Sequence, residues 1–359
     1  MTRPGFPIDH IVDAMTPSEP EVRRLQETGR ASFIVSVPKK WVQDLSLGKG
    51  SLIQVARHQD GSLVMTAGQP SKQRPSEITV VVEPDEDPQS LARKIIALYL
   101  TSLNTIVLKS KGSRMAPRIR DAVRELVRKK LVGTEIVSES STETALQVLL
   151  SYPELSAENA LRRMITIADQ MHKDSVTALC EGKRDLAIQV SKSDDEVDRF
   201  GFYIVRLMKQ AVEDPRLLSE IGLKSPRDCL GYRLIAKSVE RIGDHAVKIA
   251  EQASELSEAL TPRLAARMKE LSEFCSLQFQ EASQALFRSD YSMADRVLAR
   301  QDRAEKLEVE IEKQIYKQNL SPEDISGLRL ILESVKRTGE YATDIAEIVL
   351  NLTVSKLNM

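Results

Sequence analysis

Aromatic residues are scarce, 4% of 359 residues with a single tryptophan, which argues against a chain made mainly of β-sandwich and for one made mainly of helix. Cysteine is scarce too. Cys180, Cys229 and Cys275 are odd in number and far apart, and no CxxC occurs, so a disulfide framework or zinc knuckle is excluded and the three read as reduced core thiols. No apolar run approaches the roughly 18 residues of a membrane span, and residues 1–20 lack a signal-peptide core. The expectation is a cytoplasmic protein with no membrane insertion. Neither charge sign is in excess, with 51 basic and 52 acidic residues, so any nucleic-acid surface must be local. No glycine-rich phosphate loop follows a strand; Lys111-Gly112-Ser113 is too short and in the wrong order for one. There is no Glu-x-x-His pair of the di-iron bundle type and no nucleophile–base pair. Catalysis is therefore not expected.

What the chain does have is a repeat. Gly231–Glu251 returns at Gly327–Glu347, with 12 of 21 pairs identical at an offset of 96. Ile235, Val239, Ile242, Ala246 and Ile249 are spaced four, three, four, three, one stripe of a bundle helix; Ile331, Val335, Thr338, Ala342 and Ile345 mirror it. Gly243 and Gly339 fall mid-helix, where glycine costs about 1 kcal/mol against alanine, which suggests a helix backbone passing close by. Upstream, Ala178–Asp198 lies over Ala285–Glu305 at an offset of 107. The 11-residue difference between the offsets implies one shortened connection, between about Asp214 and Asp228 in the first copy. Each copy reads as three long helices, in domains 156–259 and 262–354, with Thr261-Pro262 as punctuation.

This tandem three-helix bundle, with SVERIGDHAVKIAE closing its first unit, resembles the PhoU family of phosphate-signalling regulators from about Ser156 to Thr353. The family's E(D)xxxD pattern is fitted by Glu240 with Asp244 and by Asp194 with Asp198. The resemblance implies control of phosphate uptake, a transporter or signalling protein as partner, and metal bound at these motifs on the bundle surface.

The residues themselves support two readings. Glu240 and Asp244, four apart, share a helix face, and Asp195 and Asp198 share one on the preceding helix. If the helices are neighbours, these carboxylates converge on an outer groove, where clustered acids repel unless a cation joins them. Oxygen ligands suit magnesium, manganese, iron or zinc. The other reading is a solvated acidic face neutralised by Lys237, Arg241 and Lys248. In the second copy Lys336 replaces Glu240, yet Glu340 and Asp344 form a shifted ExxxD, and Asp302 and Glu305 hold the places of Asp195 and Asp198. An altered second metal site is expected there. His245 reads as a polar surface residue and His172 has no evident partner.

Residues 1–20 hold four prolines and read as a flexible arm. In 21–67 a β-type run precedes Pro38, a short basic helix follows, and Asp60-Gly61 sits between two strands. Seven basic residues stand against two acidic ones over 22–58, the excess expected of a phosphate-backbone binder. The order RR…GR…VPKKW…DGSL resembles the SpoVT/AbrB swapped-hairpin domain, also found in MazE antitoxins. That resemblance implies an obligate dimer closing a small β-barrel, and DNA contacts from Arg23, Arg24, Arg30, Lys39 and Lys40. The spacing from Gly29-Arg30 to Pro38 is about four residues longer than the short bacterial pattern. Trp41 is expected in the dimer core. Residues 68–76 are a polar linker. Residues 77–150 alternate strand and helix as a small α/β connector, with Thr142–Ser151 open between strand and helix.

The expected architecture is multi-domain and mainly α: an AbrB-like N-terminal barrel, an α/β module and PhoU-like tandem bundles. The expected function is a phosphate-homeostasis regulator that binds DNA as a homodimer. The alternative is a protein–protein adaptor on a phosphate transporter or sensor kinase, with the N-terminal domain serving only dimerisation.

Overall fold

All ten stripe positions, Ile235 to Ile249 and Ile331 to Ile345, are completely buried, so the repeat's periodicity decides the architecture. A computed structural model describes residues 21–29, 32–57, 61–67, 77–112, 114–150 and 155–354. The arm at 1–20, the linker and Arg30 lie outside the described residues. The chain divides into two units, residues 1–74 and 75–359.

In the first unit, β1 (Gln26–Thr28) and β2 (Ser32–Ile34) form one antiparallel hairpin, and β3 (Ile53–Arg57) and β4 (Leu63–Ala67) form another. Between them lies the short helix α1 (Lys39–Asp44), entered through Pro38. No described side chain here is buried. The two hairpins form separate two-stranded sheets rather than a closed barrel.

The second unit opens with β5 (Glu77–Val82), α2 (Pro88–Leu100), β6 (Thr105–Ser110), α3 (Pro117–Lys130), β7 (Thr134–Glu139) and β8 (Glu143–Val148). Asp87 caps α2 by accepting from the Ser90 amide, with Pro88 at the first helical position. The sheet order is β5-β6-β8-β7, with β5 and β6 parallel and the rest antiparallel. Within the ambiguous 142–151 stretch, Glu143–Val148 is thus a strand, held by pairing on both edges. Helices α2 and α3 pack on the sheet through Leu91, Ile95, Ile119, Val123 and Leu146.

The first bundle is α4 (Ala157–Glu181), α5 (Arg184–Glu213), α6 (Pro215–Glu220) and α7 (Pro226–Glu255); the second is α8 (Pro262–Arg288), α9 (Tyr291–Leu298), α10 (Gln301–Ile315) and α11 (Pro322–Thr353). Ser156 and Thr261 cap α4 and α8. The 107-residue offset holds at the first helix ends: Gly182 (φ 65°) and Ser289 (φ 52°) both close their helix in the left-handed region. Two expectations change. The second long helix of copy two is broken at Ala299-Arg300, where neither proline nor glycine occurs. The 11-residue shortening is shared between that helix, which ends five residues early at Ile315, and its following connection, which lacks the short helix α6. Helix α7 packs along α11 and α4 along α8, so the two cores meet in one seam.

Gly243 and Gly339 face side chains, not a helix backbone. A Cβ at Gly243 would stand 3.4 Å from Asp194 Oδ1 and Val197; one at Gly339 would stand 3.1 Å from Cys275 Sγ and 3.2 Å from Gln278.

Candidate functional site

Helices α5 and α7 are neighbours, and they bring the acidic residues of the first copy to one groove. Val197 and Val239 point inward and are buried, so Asp198 and Glu240, one position on, emerge at the helix–helix boundary, half-buried. Asp194 is half-buried beside them. Its Oδ1 is buried with no hydrogen-bond partner, and burial, then the charges of Asp198 and Asp244, push its carboxyl up to about 6. Burial likewise raises Asp244, helped by Asp198, and raises Glu240 against the pull of Lys237, which donates to it at 2.7 Å.

The cation in this groove comes from a different part of the chain. Helix α3 of the α/β module ends beside α5, and Lys130 Nζ stands 2.6 Å from Asp195 and 2.8 Å from Asp198. Lys129 Nζ adds a longer contact of 3.5 Å to Asp195. Burial works against the Asp195 carboxylate, but the hydrogen bonds and charges of Lys130 and Lys129 hold it below its ordinary value. Burial also opposes the charge on Lys130, and its two aspartates outweigh it, raising the ammonium above the usual lysine range. No sequence pattern signals this pairing, because the partners are more than sixty residues apart and on different layers.

The α3 end is held by more than charge. Arg206 of α5 is completely buried and donates to the carbonyls of Tyr99 at 2.5 Å and Leu103 at 2.9 Å and to Asn104 Oδ1 at 3.0 Å. Val132, just past α3, is part of the first bundle's core, while Phe202 of α5 packs on the module's core.

In the second bundle Lys336 stands where the first has Glu240. Its Nζ lies 2.9 Å from Glu308 and 3.5 Å from Glu340, and Arg337 also bonds Glu340 at 2.7 Å. Glu308 was not among the expected site residues; at the 107-residue offset it takes the place of Gly201. Asp302, Glu305 and Asp344 are exposed and are not drawn into that cluster.

Tested as a metal centre, the donor set does not fit in this arrangement. Among the described residues no group of three or more His, Cys, Asp or Glu side chains is placed to hold a metal ion. Asp195 and Asp198 are engaged by Lys130, Glu240 by Lys237, and Glu308 and Glu340 by Lys336.

Both histidines depart from expectation. His172 is completely buried in the seam between the bundles, with its ring nitrogens 3.0 Å from Ser272 Oγ and 3.1 Å from Thr338 Oγ1. His245 packs its ring 5.8 Å from Tyr341, across α7 and α11.

In the first unit Arg23, Arg24, Lys39 and Lys40 are exposed. Arg23 pairs with Glu21. Trp41 lines an apolar recess with Val35, Val37, Leu45, Ile53 and Met65.

Among the described residues no helix is long and apolar enough to cross a membrane. A family model described as the PhoU domain matches residues 161–253 and 268–349. A phosphate-specific transport system accessory protein PhoU homolog of Pseudomonas aeruginosa is 30% identical over 199 residues, covering 52% of this chain and 77% of the relative. One of Deinococcus radiodurans is 24% identical over 198 residues, covering 53% of this chain and 89% of its own. The crystal structure of PhoU from Pseudomonas aeruginosa superposes with a TM-score of 0.49 at 22% identity, over 55% of this chain and 96% of that one. Through its two helical bundles, the chain belongs to the PhoU family.

Proposed function

We propose that this protein is a non-enzymatic accessory regulator of phosphate uptake that works by docking on a component of a phosphate transport system. The observation that carries the reading is the family match across both bundles, in relatives whose names place them as accessories of such a system. Its surface is in keeping with an adaptor: the grooves are ion-paired, with no nucleophile–base pair among the carboxylates described. The first unit pairs two copies, since Phe33, Val55 and Leu63 are exposed among its described residues. The test is phosphate uptake and co-purification. Deleting the gene should alter uptake at high external phosphate, and the tagged full chain should retain subunits of the transporter or its sensor kinase. Unchanged uptake together with no such retention would overturn it.

A second reading, in which the dimer also binds DNA, is favoured by one observation: Arg24, Lys39 and Lys40 are all exposed, and no acid lies in the first turn of α1. Binding of duplex DNA by the full chain across a salt series decides it. If Lys39 and Lys40 touch phosphates, replacing both with alanine reduces the salt slope by about two. No binding at low salt, with the dimer intact, leaves the adaptor alone.

A further inference from the structure

We propose that lysine ammonium groups take the cation's place in both acidic grooves of this chain, and that in the first bundle the α/β module delivers it, making the groove that module's docking site. Two separate observations lead there. In the first bundle Lys130 closes on Asp195 and Asp198 at 2.6 and 2.8 Å, on the face where a divalent ion would have to bridge α5 to α7. In the second, Lys336 enters from α11 itself at the position of Glu240 and lies 2.9 and 3.5 Å from Glu308 and Glu340. An ammonium thus pairs with two acids in each bundle, at different positions of the repeat and from unrelated parts of the sequence.

A compact ammonium offers three donors and one positive charge, enough to satisfy two carboxylates but not the five acids of the first groove. Lys237 offsets a second charge at Glu240, and Asp194 is left with a buried oxygen lacking a partner. The groove therefore stays acidic with the module docked, and removing Lys130 would expose Asp195 and Asp198 to one another. A divalent cation and the end of α3 compete for one place. Arg206 and Val132 anchor the neighbouring backbone, so what is exchanged is the last turn of α3, not the whole module. This holds whichever partner the bundles serve.

The test is equilibrium dialysis of the full chain against Mn²⁺, beside hydrogen exchange of α3. Lys130→Gln should bind Mn²⁺ at least tenfold more tightly than the unaltered chain. Adding Asp198→Asn should abolish that gain. Amides at the end of α3 should exchange at least tenfold faster in Lys130→Gln. If that variant fails to fold by circular dichroism, Asp195→Asn, which removes one of the ammonium's two charged partners, should speed α3 exchange in the same way. Equal Mn²⁺ binding by the unaltered chain and Lys130→Gln, including none by either, overturns the proposal; so does α3 exchange that neither substitution changes.

Discussion

His172 sits where the two bundles meet, and every group around it constrains its proton. Burial lowers its pKa from 6.5 to about 4, against the Ser272 backbone contact and the Asp169 charge, while Lys173 adds to the lowering. Because the folded value lies below the unfolded one, the neutral ring stabilises the fold fully above about pH 6.5, and that stability is lost as the pH falls toward 4. Between pH 7 and 4.5 the loss should be about 2–3 kcal/mol. Chemical denaturation across that range should show His172→Gln with a correspondingly flatter dependence; parallel curves would mean that His172 titrates alike in the folded and unfolded chain. The two mid-helix glycines make a second residue-scale pair. At Gly339 the added methyl meets Cys275 and Gln278 at 3.1 and 3.2 Å, and Cys275 is itself completely buried. Gly339→Ala should therefore cost about 1–2 kcal/mol of overpacking beyond its helix gain. At Gly243 the contacts are 3.4 Å or more, and alanine should be neutral or stabilising by up to about 1 kcal/mol. Paired urea melts check both signs. The sequence marked both positions as special without saying why, since a glycine records that something is near and not what it is.

Within single helices, the sequence was a good guide. The stripe from Ile235 to Ile249 repeats at the helical period, and burial follows it residue by residue. The boundary at Thr261-Pro262 was also legible, and there Thr261 caps α8 by a local hydrogen bond. Contacts between elements were not. Lys130 in the basic run of α3 looks like a solvated cation, and only the packing of α3 against α5 turns it toward Asp195 and Asp198. Glu143–Val148 is a strand because β6 and β7 pair on either side, which no local pattern encodes. Arg206 shows how firmly the two layers are joined: its guanidinium donates to two backbone carbonyls and to Asn104. Arg206→Met keeps the aliphatic volume; Tyr99 O still accepts from the Ser102 amide, but Leu103 O and Asn104 Oδ1 lose their guanidinium donor, at about 1–3 kcal/mol for each unmet group. Denaturation should show a loss of roughly 2–4 kcal/mol. Faster amide exchange should be concentrated at 99–104. A variant as stable as the unaltered chain would mean that water replaces the guanidinium there.

The two units differ in whether they can bury their own apolar residues. Residues 75–359 hold three buried cores. In the first unit Phe33 is 64% exposed, Val55 58% and Leu63 68%, and a domain of this size has too little core to stand alone without a staple or a partner. Val35, Val37, Leu45, Ile53 and Met65 are also exposed, around one apolar recess, and a patch of this kind marks an interface. A second copy can supply that cover, because a two-fold interface uses the same patch on both sides. The sequence resemblance led to the same pairing, but the barrel that would close it cannot form from one chain's two separate hairpins. Removing residues 1–76 should therefore convert a dimer into a monomer by light scattering, with the thermal midpoint of the remaining cores within about 3 °C. Val55→Glu in the full chain should weaken self-association at least tenfold while leaving the helical circular dichroism intact. A full chain that is monomeric at tens of micromolar would show that the apolar face serves a different protein, and a truncated chain that stays dimeric would move the interface to the bundles.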